Sequence, residues 1–276
     1  MGKKIAVVCH AASVSKPGYY KWLNRQGQSP KDYNDYLLIK TIFDKGKKKL
    51  GWRSIQMRLT NEYGLNVNHK KIRRVMNKYG LVCQARRKNP YKAIMKKTKE
   101  HRTFENLLDR KFEQCVPKKV LCTDITYLYY ALGRKAYLSV IKDIATGEIL
   151  AWELSMNIEL GFVIKTVIKL GQLPNALIHS DQGSHYTSPF YSQIISALGL
   201  TQSMSRKGNC IDNAPMESFF GHLKDELDFK SCNTFQELTF RVNEYMQYYN
   251  HQRYQWGLKK MTPAQYRDHL LAENSA

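Results

Sequence analysis

Three consecutive strand-like runs, VLCTDITYLYY, KAYLSVIKDI and EILAWELS, constrain the fold of this chain more than any other feature. They are rich in β-branched and aromatic residues, and short connections at Gly133-Arg134 and Thr146-Gly147 join them. Such spacing predicts an antiparallel meander. Downstream, helical periodicity over Leu160 to Leu170 precedes the short apolar run Ala176 to His179. A helix after Thr187, a strand around Thr201 to Met204, a polar loop and another helix follow. The order β-β-β-α-β-α-β-α predicts an α/β fold, a mixed sheet with helices on both faces.

Three acids stand at odd places in that frame. Asp124 interrupts the first strand, where Asp is disfavoured. Asp181 closes the fourth strand just before a Gln-Gly turn, and Glu217 lies in the first turn of the last core helix. Each has an ordinary local explanation: a buried hydrogen bond, an Asx turn, a helix-dipole partner. Together they describe something else. Two strands can bring Asp124 and Asp181 together, and Glu217 borders the stripe Met216, Phe220, Leu223, Leu227 by which its helix should bind the sheet. Asn213 is the expected N-cap of that helix, with Pro215 where no helical N–H is needed. Three converging carboxylates suit an all-oxygen site for Mg²⁺ or Mn²⁺, and two such ions would serve in-line phosphoryl transfer. Lys224, seven residues after Glu217 and on its helical face, could hold substrate phosphate.

Charge indicates the substrate class. Of the net +21, residues 1–100 hold 25 Lys+Arg against 5 Asp+Glu, while the remainder is nearly balanced. That third is predicted to carry three short helices between 31 and 80. The first runs from about Lys31 to Lys47, Ser54 could cap the second, and Asn68 caps the third, HKKIRRVMNKYG. This third helix displays Lys70, Lys71, Arg73, Arg74 and Lys78. A short helix pair whose second member is densely basic is the helix-turn-helix arrangement that enters the DNA major groove. A three-helix bundle with a charged exterior is the plainer reading, and the clustering on one helix favours DNA. Residues 84–116 read as a basic linker whose Arg86 and Arg87 could track phosphates. The expected organisation is an arm at 1–30, a basic helical domain at 31–83, that linker, a catalytic core at 117–230 and a helical tail at 231–276.

The same residues narrow the remaining classes. The six cysteines form no CxxC pair and the eight histidines no HExxH, so neither zinc nor a disulfide framework is expected. No apolar run is long enough for a membrane span, and the short N-terminal apolar patch is interrupted by Lys16 and Lys21. A cytoplasmic, nucleoid-associated protein is expected.

With 35 residues between Asp181 and Glu217, the three acids resemble the DDE triad of retroviral-integrase-like transposases. HSDQGSHYTS and SRKGNCIDNAPMESFFGHLKDE resemble segments of the IS-three family of bacterial insertion sequences, as do PGYYKW and YNHQRYQWGLKKMTPAQY. The resemblance spans nearly the whole chain and implies an RNase H-like integrase core with Mg²⁺-dependent cutting and joining of DNA. It implies Asp124, Asp181 and Glu217 as metal ligands, Lys224 on the DNA end, and Ser205 to Asp212, with Gly208, as a mobile active-site loop. Terminal-repeat and target DNA, and further copies of the chain, are the implied partners. The family's upstream frame usually supplies a leucine zipper, and no such heptad run is seen here, so a second-frame product partnered by or fused to that frame is expected. A ribonuclease H-type nuclease and a non-catalytic DNA-binding regulator of transposition are the competing readings.

Overall fold

The computed structural model describes residues 5–24, 30–84, 104–206 and 210–273, and for 210 and 211 the backbone alone. The N-terminal arm contains two short helices that periodicity did not disclose, α1 (Ile5–Ala11) and α2 (Lys16–Leu23). Ser15 Oγ accepts from the Gly18 N–H to start α2, and Pro17 occupies the first turn.

The basic domain is built from α3 (Tyr33–Lys45), α4 (Trp52–Tyr63) and α5 (His69–Lys78). Their apolar stripes meet in one core of Ile39, Ile42, Phe43, Ile55, Leu59, Ile72, Val75 and Met76. Gly64 ends α4 in the left-handed region at φ 66°, where a side chain would be strained. Asn68 Oδ1 accepts from the Lys70 N–H as expected, but Ser54 is no cap: α4 begins two residues earlier, after Gly51.

The central portion is a five-stranded mixed sheet ordered β3-β2-β1-β4-β5. Strands β1 (Val120–Tyr130), β2 (Arg134–Asp143) and β3 (Ile149–Ser155) form the predicted antiparallel meander. Strands β4 (Ala176–Ser180) and β5 (Leu200–Met204) run parallel to β1 on its other side. Crossovers need covering helices, supplied by α6 (Leu160–Ile168) and α7 (Pro189–Ala197) on one face. There Phe162, Val163, Val167, Tyr191 and Ile195 pack on Leu121, Ile141 and Ile178. Alternation sends Val120, Cys122, Leu128 and Tyr130 to the opposite face, against Met216, Phe219, Phe220 and Leu223 of α8 (Ala214–Glu226). This is the RNase H-like arrangement.

The packed unit extends past the expected bounds of 117–230. Leu108, in the stretch whose composition predicts a linker, is buried in the α8-side core. So is the stripe Leu238, Val242, Tyr245, Met246 and Tyr249 of α9 (Phe235–His251). A helix with that apolar face must cover a surface, and each large side chain so buried stabilises by roughly 1.5–3 kcal/mol. A final helix, α10 (Pro263–Glu273), follows. Among the described residues no helix is long and apolar enough to cross a membrane.

Candidate active site

Strand register places the first two acids. The last β1–β4 pair is Cys122↔His179, and Asp124 and Asp181 each lie two residues beyond it. In parallel strands about 4.8 Å apart, equal offsets put the two carboxylates side by side at the carboxyl edge, on the α8 side of the sheet. Asp124 is half-buried and its Oδ1 accepts from the Ile125 N–H at 2.7 Å. Asp181 is exposed, and its Oδ1 accepts from the Gly183 N–H at 2.9 Å. A Cβ at residue 183 would fall 2.8 Å from that oxygen, which is why the turn after Asp181 needs glycine.

Glu217 projects from the first turn of α8 and is exposed. It belongs to the same electrostatic group. Burial pushes the Asp124 carboxyl up to about 8; neighbouring Asp181 and Glu217 add to the rise, while the Ile125 N–H and Lys224 oppose it. Lys224 also places its Nζ 4.8 Å from the centre of the Tyr127 ring. Among the described residues no three His, Cys, Asp or Glu stand close enough to share one metal ion as they are placed. The donor chemistry nevertheless fits a hard divalent cation: oxygen-only, acidic, and with an Asp124 whose ionisation neighbouring negative charge opposes.

Two further groups hold α8, and neither role was foreseen. Asn213 was expected to cap it, yet its φ of −119° and ψ of 33° leave the side chain off the helix N–H groups, and no capping bond forms. Instead Asn213 Nδ2 donates to the Thr123 carbonyl at 3.3 Å, tying the helix of Glu217 to the strand of Asp124. One residue earlier, buried Asp212 accepts from Arg110 Nε at 2.7 Å. It also accepts from the Arg206 N–H at 3.0 Å, Arg206 Nε at 3.2 Å and Asn106 Nδ2 at 3.2 Å. The loop before α8 is thereby clamped to the segment that enters the core. Only the Asp-Asn pair before the helix hints at this in the sequence.

Burial pushes the Asp212 carboxyl up, but the Arg206 N–H and then the Arg110 and Arg206 side chains pull it down to about 2. Beneath it, burial holds His179 neutral and pulls its pKa down to about 4, against the charge of Asp212. Both shifts give stability that acid removes. The His179 contribution is complete above 6.5 and is lost as pH falls through about 4; that of Asp212 is complete above 3.8 and is lost toward about 2. Urea unfolding across pH should therefore show stability declining in two stages, and Asp212→Asn should lack the lower one.

On α5, Lys70, Arg73 and Arg74 are exposed, with no ion pair among the described residues. Lys71 and Lys78 are exposed too, and each holds an ion pair. Lys71 Nζ lies 2.8 Å from Asp35 and Lys78 Nζ 2.7 Å from Asp32, tying α5 to the start of α3. Arg86, Arg87 and Gly208 lie outside the described residues.

Comparison with known proteins gives a consistent picture. Residues 31–89 match the model of an HTH-like domain, and residues 116–210 and 217–271 match two models of an integrase core domain. The chain is 39% identical over 213 residues to an uncharacterized transposase-like protein of Haemophilus influenzae, covering 75% of this chain and 96% of that protein. It is 33% identical to the transposase for insertion sequence element IS904 of Lactococcus lactis, covering 82% of this chain and 90% of that one. With transposase InsF for insertion sequence IS3A of Escherichia coli it shares 30%, over 80% and 78% of the two chains. A solved structure of the HTLV-2 integrase catalytic core domain in complex with magnesium is similar at 17% identity and a TM-score of 0.44, covering 55% of this chain and 97% of that one.

Proposed function

The chain belongs to the insertion-sequence transposases with an HTH-like domain and an integrase core, and on that premise we propose that it nicks the ends of a mobile DNA element and joins the freed 3′-hydroxyl to target DNA. The observation that carries this is the matched offset of Asp124 and Asp181 beyond Cys122↔His179, with Glu217 acting on the same carboxyl. In this reading Asp124, Asp181 and Glu217 hold one or two divalent cations, magnesium or manganese. Bound there, such ions would polarise the phosphoryl group and lower the pKa of the attacking hydroxyl.

The remaining roles belong to the protein. The sheet edge fixes Asp124 and Asp181, and α8, tied by Asn213 and Asp212, sets the reach of Glu217. Lys224 bonds a non-bridging phosphate oxygen of the DNA end as a compact point charge. The α5 surface of Lys70, Arg73 and Arg74 grips the duplex, and joining two element ends calls for at least two copies on the DNA. The upstream-frame product remains a proposed partner.

Incubating the protein with Mg²⁺, labelled terminal-repeat DNA and a plasmid target tests this. A product longer than the labelled strand supports transposition. Shortened strands alone would indicate a plain nuclease, and binding without any chemistry, even with the upstream frame supplied, a regulator. The two sets of cations on α5 should separate as well. Arg73→Ala with Arg74→Ala should lower duplex affinity and flatten the plot of log K against log salt by about 0.9 per lost phosphate contact. Lys71→Ala and Lys78→Ala should chiefly lower the melting temperature. An unchanged salt slope in the arginine double variant would remove α5 from the DNA interface.

A further inference from the structure

The pairing of β1 with β4 ends at Cys122, and β1 continues for six residues beyond Asp124. Along this stretch the face opposite α8 carries Tyr127 and Tyr129, which are 45% and 46% exposed. The register with β2 sets Tyr137 directly across from Tyr127, and Lys135 across from Tyr129. All four side chains therefore share one face. Lys135 Nζ lies 5.6 Å, 5.5 Å and 5.9 Å from the centres of the Tyr127, Tyr129 and Tyr137 rings. The Tyr127 and Tyr129 rings meet edge to face, 5.3 Å apart at 71°. Lys224 of α8 reaches the Tyr127 ring from the side of the acids.

Core packing does not account for this arrangement. Tyrosines needed only for the sheet would be covered, whereas two of these leave nearly half their surface in water. A lysine central to three rings keeps positive charge at the shelf without taking an acidic partner among the described residues. Exposed ring faces interleaved with cations are the means by which proteins hold unpaired nucleotides: the rings stack on bases and the cations follow the backbone. Tyr127 is on the sheet face opposite Asp124, across a stretch of β1 that β4 does not pair with, and three residues of extended strand separate the two, about 10 Å along the strand. That is roughly the rise of three nucleotides along one strand.

We propose that Tyr127, Tyr129 and Tyr137, with Lys135, form a shelf that stacks unpaired bases of the DNA end about three nucleotides from the phosphate placed at Asp124. The proposal rests on the transposase reading and deepens it: the substrate bound for reaction is a frayed end, not an intact duplex terminus. Lys135 keeps the rings in place when no DNA is bound, and Lys224 bridges the shelf and the acids.

The test uses the full chain in EDTA, so that no strand is cut. Its probes are terminal-repeat duplexes, blunt or carrying three unpaired nucleotides on each strand in turn, with 2-aminopurine in the unpaired stretch. One overhang should bind about tenfold more tightly than the blunt duplex, with its fluorescence quenched. Tyr127→Ala with Tyr129→Ala should abolish both effects, the double change to Phe should keep them, and the double change to Leu should lose them although it remains apolar. Both positions are half exposed, so these variants should melt like the parent, and circular dichroism checks this. Equal binding of blunt and overhanging duplexes by the parent would overturn the shelf, as would retention of the preference by the Leu variant. A change of oligomeric state without a change in DNA preference would also overturn it, assigning the face to a second copy. In the joining assay, product with no overhang preference defeats the shelf alone, and overhang preference with no product defeats the transposase reading alone.

Discussion

Asp124→Asn should lower DNA joining by at least about a thousandfold while changing duplex affinity less than twofold. A cation held at these carboxylates contributes several kcal/mol to the transition state, and each 1.36 kcal/mol is tenfold in rate. Asparagine preserves the shape of the site: its Oδ1 can still accept from the Ile125 N–H that binds Asp124 at 2.7 Å. What disappears is the negative charge. The direction of the stability change makes the prediction sharper. Because burial and then Asp181 raise the Asp124 pKa from 3.8 to about 8, the folded protein holds a proton there that the unfolded chain releases. Native stability therefore falls as pH rises between those values in metal-free protein, and Asn removes that loss. Near neutral pH without metal the variant should be at least as stable as the parent, though inactive. Joining assays beside metal-free melting curves check both halves. Full activity in the variant would contradict the role of Asp124, and inactivity accompanied by unfolding would leave it purely structural.

Phe219→Ala should destabilise the protein by about 3–5 kcal/mol, among the largest effects available to one substitution. Phe219 is fully buried two residues after Glu217. Its ring meets Tyr249 of α9 edge-on, 4.9 Å between centres and 85° apart, and lies 5.6 Å from the Phe220 ring. Truncation leaves a cavity where α8, α9 and the sheet converge, and close-packed neighbours relax into it only partly. Since α8 carries Glu217, joining should also weaken at temperatures where the variant remains folded. Denaturant unfolding measures the first effect. A loss under about 1 kcal/mol would mean that α8 is not anchored through this ring.

The order of strands and helices was legible in the sequence because each depends on local periodicity and turn residues. The meander, β4, β5 and α8 fall where those patterns place them. The acids were legible as anomalies within that pattern. Their alignment was not, since it depends on the β1–β4 register, which joins segments more than fifty residues apart. Long-range pairing hid Asp212 too: its partners Asn106 and Arg110 lie about a hundred residues upstream, in a stretch whose composition suggests a linker. Asn213 is the right residue type for a cap, but its side chain bonds the Thr123 carbonyl instead, a partner ninety residues away. The stripe of α9 announces a helix without naming the surface it covers. On α5, charge alone did not show which cations hold ion pairs: Lys71 and Lys78 reach Asp35 and Asp32 at the start of α3.

The central claim is that Asp124, Asp181 and Glu217 together form one metal-bearing site for DNA joining. Anomalous scattering from Mn²⁺ in crystals of the protein bound to terminal-repeat DNA tests it most directly. The expected result is density for one or two ions bounded by all three carboxylates, lost from crystals of the Asp124→Asn protein. Manganese bound elsewhere, or held by only one of the three acids in an assembly that still joins DNA, would contradict the account.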